Sequence, residues 1–120
     1  MADGERLFHH ELCFGCGQAN LFGLQLELSH GPDGVEGRFF VKQDHQGPPG
    51  LAHAGVLTAA LEEALSLAAG RRPARLEVEL VAPAHVGTFV HVRGMRTSAT
   101  ASDEEGQVLA RAVGTFASSA

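Results

Sequence analysis

At 120 residues the chain is long enough for one domain with a real core and too short for two. Nine Lys and Arg against 14 Asp and Glu leave a formal charge of −5, which argues against a general nucleic-acid or anionic-membrane surface. No apolar run approaches the roughly 20 residues that span a bilayer. The opening Met1-Ala2-Asp3-Gly4-Glu5-Arg6 also lacks the basic-then-apolar order of a signal peptide, so a soluble cytoplasmic chain with Cys13 and Cys16 reduced is expected.

Residues 1–20 read as an irregular segment rich in His, Cys and Gly. Leu24, Leu26 and Leu28 then alternate with Gln25, Glu27 and Ser29, the period of a half-buried strand. Gly31-Pro32-Asp33-Gly34 is a turn, and Val35, Gly37, Phe39 and Val41 continue the alternation as a hairpin partner. Gln46-Gly47-Pro48-Pro49-Gly50 breaks regular structure. From about Ala54 to Ala69 the chain reads as a helix apolar on nearly every side, through Val56, Leu57, Ala59, Ala60, Leu61, Ala64, Leu65, Leu67 and Ala68. Such a helix is buried. Gly70 suits its C-cap, with Arg71 and Arg72 just beyond.

After the helix, Leu76, Val78 and Leu80 alternate with Glu77 and Glu79 in a strand ending at Pro83. A turn at Gly87 leads to a strand marked by Val90 and Val92 and running to about Thr97. Asp103-Glu104-Glu105-Gly106 is a turn, and Gln107 to Ala117 form the last strand. Short connections after the helix favour antiparallel pairing. The simplest way to bury the helix is an α+β fold in which an antiparallel sheet of five or six strands wraps one long central helix, as a single domain over residues 1–120.

A carboxylate inside a buried helix is costly unless it is paired, hydrogen-bonded or used. Glu62 and Ser66, four residues apart, share a face within side-chain reach. Glu63 lies about 100° further round and is expected to be the solvated or ion-paired neighbour. His53 and Glu62, nine residues apart, are turned by about 900° and stand roughly 13 Å apart along the axis. They face opposite sides and do not easily meet within one chain; they could meet across a two-fold axis, one chain giving the helix start and the other Glu62.

The segment Gly47-Pro48-Pro49-Gly50-Leu51-Ala52-His53-Ala54-Gly55-Val56-Leu57-Thr58-Ala59-Ala60-Leu61-Glu62-Glu63 resembles the phenylacetate-pathway and 4-hydroxybenzoyl-CoA type acyl-CoA thioesterases. Their pattern is His-Gly-Gly followed by an Asp or Glu nine positions after the His. Cys13-Phe14-Gly15-Cys16-Gly17-Gln18-Ala19-Asn20-Leu21-Phe22-Gly23-Leu24 resembles the N-terminal segment of many relatives. Leu76 to Gly87 resembles their strand ending in Pro-x-x-x-Gly, so the similarity runs over roughly residues 13–117.

The resemblance implies a hotdog fold, a homodimer or dimer of dimers with sites built between chains, and hydrolysis of an acyl-CoA or related thioester. Glu62 occupies the position of the catalytic carboxylate, as general base or as nucleophile, and Ser66 that of an assisting hydroxyl. The N–H groups of Ala54 and Gly55 at the helix start would form the oxyanion site, with His53 positioning the loop by hydrogen bonding or acting directly as a catalytic residue. Ala54 departs from the pattern, because the first Gly after the His is Ala here; an alanine keeps the donor but not cheap access to positive φ. Gln46 or His45 would supply a polar position opposite the carboxylate.

CoA carries phosphates, and Arg71 and Arg72, with Arg75, Arg93 and Arg96, are the candidates to meet them. Arg71 and Arg72 equally suit the negative end of the helix dipole. Phe14, Phe22 and the leucines suggest an apolar pocket or a core. Cys13-x-x-Cys16, preceded by His9 and His10, is half of a zinc site whose second half lacks the usual spacing. A tight Gly-rich turn holding small thiols is the expected outcome, with no metal and no redox cofactor. A thioredoxin-like role is disfavoured because the motif does not open a helix after a strand.

Two rival functions follow from the same resemblance. A hotdog dehydratase would open the helix Pro-Gly-Val-Leu with an acid six residues after the Pro, where this chain has Ala60. A non-catalytic protein that only binds an acyl thioester is the other, and it turns on whether Glu62 faces a cavity beside the partner's helix start.

Overall fold

Alternating apolar residues and one long apolar helix give a sheet with a single buried face, and the helix fills it. The computed structural model describes residues 5–118. Its strands are β1 (Arg6–Leu7), β2 (Glu27–His30), β3 (Val35–Phe40), β4 (Arg75–Leu80), β5 (Phe89–Gly94), β6 (Ser98–Ser102) and β7 (Val108–Thr115), and α1 is Ala54–Ala69. They form one seven-stranded sheet in the order β1-β2-β3-β5-β6-β7-β4. Every pairing is antiparallel. Leu28, Val35, Phe39, Val90, Val92, Leu109 and Ala112 point inward to meet Val56, Leu57, Ala60, Leu61, Ala64 and Leu65 of α1. Among the described residues no helix is long and apolar enough to cross a membrane.

The helix bounds follow local chemistry. His53 holds an extended backbone conformation as N-cap, and Gly70 ends the helix in the left-handed region at φ 77° with its N–H on the Ser66 carbonyl. That conformation is cheap for glycine alone.

The sheet has seven strands rather than five or six, and the two extra come from identifiable places. The stretch expected to run as one strand to Thr97 ends at Gly94, turns with the Met95 N–H on the Ser98 carbonyl, and returns as β6. β6 reads Ser-Ala-Thr-Ala-Ser and buries only Ala99 and Ala101, so it offers no large apolar alternation. Gly94 of β5, the strand partner of Ala99, already leaves no room for a Cβ against Ala64 of the helix. The second addition is the two-residue β1, inside the segment expected to be irregular, paired with β2 at Arg6↔Ser29. β2 itself starts only at Glu27. Gln25 has φ 51°, and the flanking Leu24 and Leu26 N–H groups bond the Phe14 and Gly15 carbonyls of the N-terminal loop.

Gly94 marks a close approach of helix to sheet, since a Cβ there would run into the Ala64 carbonyl. Gly94→Ala is therefore expected to destabilise the fold by about 1–3 kcal/mol through overpacking. A lowered midpoint of urea unfolding with an unchanged slope is the outcome that supports this, and an unchanged midpoint refutes it.

Candidate functional site

At the start of α1 the chain must satisfy donors that have no partner within the helix. His53 does part of this work: its Nδ1 accepts the Gly55 N–H at 2.8 Å and its carbonyl accepts the Val56 N–H at 2.9 Å. Ala54 is the first helical residue, and Gln25 is the one described non-glycine with positive φ, so the Gly-to-Ala departure strains nothing. The His53 N–H is in turn held by the His45 carbonyl at 2.8 Å. Beside this helix start opens an apolar cavity of about 480 Å³ lined by Pro48, Leu51, Ala52, His53, Ala54, Leu57, Leu80, Val81, Ala82 and Pro83. Phe14 and Phe22 do not line it; both are exposed.

Two turns further along, Glu62 accepts a 2.6 Å hydrogen bond from the buried Ser66 hydroxyl, as their spacing requires. Arg72 donates to both Glu62 oxygens through Nη1, each at 2.6 Å. The left-handed Gly70 turns the chain back after the helix and so delivers Arg72 to this position. Hydrogen bonding to Glu62 raises the Arg72 guanidinium above its already high ordinary range, more than burial lowers it. The Glu62 side chain is 28% exposed and that of Arg72 52%, so the pair sits at the surface of the wrapped helix.

Glu63, rather than being solvated, is 2% exposed. It is ion-paired: its Oε2 lies 2.5 Å from His9 Nδ1 and accepts from the Cys13 thiol at 3.5 Å, while Oε1 lies 3.6 Å from Arg72 Nη1. The loop carrying Cys13 and Cys16 wraps this carboxylate closely, and a Cβ on Gly15 would stand 2.8 Å from Glu63 Cδ. Burial, with Glu63 facing it, pushes the Cys16 thiol up to about 12.

The remaining candidates are placed as follows. His53, Ala54 and Gly55 lie at the start of α1, Glu62 at its middle, Ser66 towards its other end and Arg72 just beyond it; Glu62 does not line the cavity. Gln46 is exposed and its Oε1 accepts the Gly50 N–H. His45 is buried, its Nδ1 taking the Lys42 N–H and its Nε2 reaching the Gly23 carbonyl at 3.1 Å, which makes it a brace for the approach to the helix. Arg71 stacks on Phe116 and donates to the Ala117 carbonyl. Arg75 and Arg93 have acidic neighbours in Glu77, Asp33 and Glu36.

Sequence reasoning did not foresee His9 and Glu63 as a pair, nor Arg72 as the partner of Glu62. Periodicity held only a weak signal for Glu63. Seven residues bring it about 20° short of two full turns from the buried Val56, on the inward stripe. The reach of Arg72 depends on how Gly70 redirects the chain, which no periodicity encodes.

No family model and no curated protein matches the chain. Solved structures do. A thioesterase superfamily protein is 22% identical with a TM-score of 0.78, over 90% of this chain and 61% of that one, so the chain spans less than two thirds of that protein's length. The E. coli PaaI protein, from the phenylacetic acid degradation operon, is 14% identical with a TM-score of 0.65, over 76% of this chain and 81% of that one. A hypothetical thioesterase protein from Streptococcus pneumoniae, solved with coenzyme A, is 15% identical with a TM-score of 0.61, over 77% of this chain and 88% of that one. The chain has the hotdog fold. At these identities the likeness is one of fold.

His45 gives the approach to the helix a pH dependence. Burial lowers its pKa below the ordinary 6.5, more than the hydrogen bond to the Gly23 carbonyl raises it, so the folded protein takes up this proton less readily than the unfolded chain. The unfolded chain takes up that proton at about 6.5. Below that pH the unfolded state binds more protons, and stability falls as pH drops. Thermal midpoints measured from pH 7.5 to 5 are expected to decline more steeply for the wild type than for His45→Gln; parallel declines would clear His45 of the effect.

Proposed function

We propose that the protein hydrolyses an acyl thioester, with CoA as the favoured carrier, as a homodimer or a pair of homodimers. The observation that carries this reading is the Ser66-supported Glu62 on a buried helix whose start frames an apolar cavity. The fold it shares with proteins described as thioesterases supports the reaction class, and the coenzyme A bound to one of them supports the carrier.

The acyl chain enters the cavity, and the thioester oxygen is received by the N–H groups of Ala54 and Gly55 at the positive end of the helix. The Gly55 N–H reaches the oxyanion by sharing with, or release from, the His53 ring that now holds it. Glu62 of the second chain takes a proton from water as the water oxygen attacks the carbonyl carbon; the C–S bond breaks and the thiol leaves with that proton. Direct attack by Glu62 to give an anhydride, followed by its hydrolysis, has the same stoichiometry. Ser66 holds the carboxylate in one rotamer. Arg72, half exposed, must free one Glu62 oxygen before either route runs, and a CoA phosphate is the competing anion that would draw it away.

That Arg72 engages both Glu62 oxygens is also the observation that favours the second reading, a protein that binds an acyl thioester without hydrolysing it. Thiol release from short, medium, long and aromatic acyl-CoAs separates the two. On the hydrolase reading Glu62→Gln lowers kcat/KM at least about a hundredfold while the dimer persists, within the range for a lost general base. Ser66→Ala loses about tenfold, the worth of a hydrogen bond to a charged group. Equal rates in wild type and Glu62→Gln would remove Glu62 from the mechanism, and acyl-CoA binding with no turnover would establish the binding protein.

A further inference from the structure

Four donors from three separate parts of the chain converge beside α1, and the function proposed above uses none of them. His9 follows β1, Cys13 and Cys16 sit in the glycine-rich turn, and Glu63 comes from the middle of the helix. One ligand atom from each, His9 Nδ1, the two Sγ atoms and a Glu63 oxygen, lies within 4.8 Å of every other. We propose that His9, Cys13, Cys16 and Glu63 form a tetrahedral zinc site that clamps the N-terminal segment onto the helix.

The spacings suit such an ion. With Zn–S of about 2.3 Å and Zn–N or Zn–O of about 2.0–2.1 Å, neighbouring donors around a tetrahedral zinc stand about 3.3–3.8 Å apart. Cys13 Sγ is 3.5 Å from Glu63 Oε2, and Cys16 Sγ is 3.7 Å from His9 Nδ1. The 2.5 Å contact of His9 with Glu63 is shorter than that, and every other pair lies within 4.8 Å. The His9–Glu63 contact has the length of a hydrogen bond and opens by about 0.8 Å to become an edge of the tetrahedron. Two sulfurs, an imidazole and a carboxylate are a donor set that selects zinc over magnesium or calcium.

The surroundings match a site more than a chance cluster. The His9 backbone N–H points at Cys16 Sγ at 3.1 Å, the second-shell donor that a metal-bound thiolate uses. The Gly17 N–H closes the turn onto the Cys13 carbonyl at 2.9 Å, and Gly15 leaves the room that Glu63 fills. Zinc with two thiolates and one carboxylate has a net charge of −1, and the Arg72 guanidinium lies 3.6 Å from the outer Glu63 oxygen. With four protein ligands and no open position the site is structural. It therefore stands whether or not the protein hydrolyses a thioester.

The test uses the full chain, with both thiols reduced and counted, stripped by a chelator and titrated with Zn²⁺ or Co²⁺. The expected result is uptake of one ion per chain with release of the two thiol protons. The cobalt form should show thiolate-to-metal charge transfer and the intense visible bands of a four-coordinate ion. Cys13→Ser and Glu63→Gln are each expected to weaken zinc binding at least about a hundredfold, the upper end of what even second-shell losses cost. A chelator should lower the thermal midpoint of the wild type and leave that of Cys13→Ser unmoved. A reduced, folded wild type that leaves Co²⁺ spectroscopically free overturns the proposal, and this outcome does not depend on any variant folding. Zinc uptake undiminished in Cys13→Ser overturns it as well.

Discussion

Two adjacent carboxylates on a helix wrapped by sheet dictate much of what surrounds them. An ion withdrawn from water costs several kcal/mol unless its neighbours replace the lost hydration. Glu62 is compensated by Ser66 from its own helix and by Arg72 from the turn beyond it. Glu63, deeper, is compensated by His9 and the Cys13 thiol from a segment about 50 residues earlier. The helix thus recruits the chain on both sides: the N-terminal loop is drawn over it by Glu63, and the Gly70 turn is held back against it by Glu62. Removing either carboxylate would leave a cation or a loop without its anchor as well as changing the chemistry.

Close packing of small residues makes this arrangement precise. A Cβ on Gly94 would run into Ala64 of α1, β6 buries only Ala99 and Ala101, and a side chain on Gly114 would press on Leu65. A helix seated so near the strands has little room to rotate, which fixes the angular positions of Glu62 and Glu63 relative to the loop and to Arg72. The same economy hid β6 from the sequence. Where the helix lies closest, strand residues must be small, and small residues carry little hydrophobic alternation.

What was legible in the sequence divides along this line. The helix, its Gly70 cap, the hairpin of β2 and β3 and the wrapped-helix architecture all rest on local periodicity or local turn chemistry, and they were readable. The Glu62–Ser66 pair is a helical separation of four and was readable for the same reason. Two things were not. The burial of Glu63 follows from which stripe of an almost uniformly apolar helix faces inward, and a helix apolar all round gives only a weak angular signal. The meeting of His9, Cys13 and Cys16 with Glu63 depends on the fold bringing distant segments together, so spacing alone showed two cysteines and a histidine without their fourth companion.

The apolar cavity bears on why one chain is insufficient on the proposed reading. Two of its lining residues, Leu80 and Val81, are 55% and 48% exposed, and Leu80 ends β4, the strand at the edge of the sheet. An apolar wall on an edge strand is a liability unless another element covers it. On that reading helix geometry separately calls for a second chain, because His53 and Glu62, nine residues apart, face opposite sides of α1 and stand roughly 13 Å apart along its axis. A two-fold axis placed beside β4 would meet both demands together. It would cover Leu80 and Val81, close the cavity, and bring the partner's α1 towards this helix start. The constraint that sends Glu62 to the surface of its own chain is then the one that makes it available to the neighbouring chain's substrate.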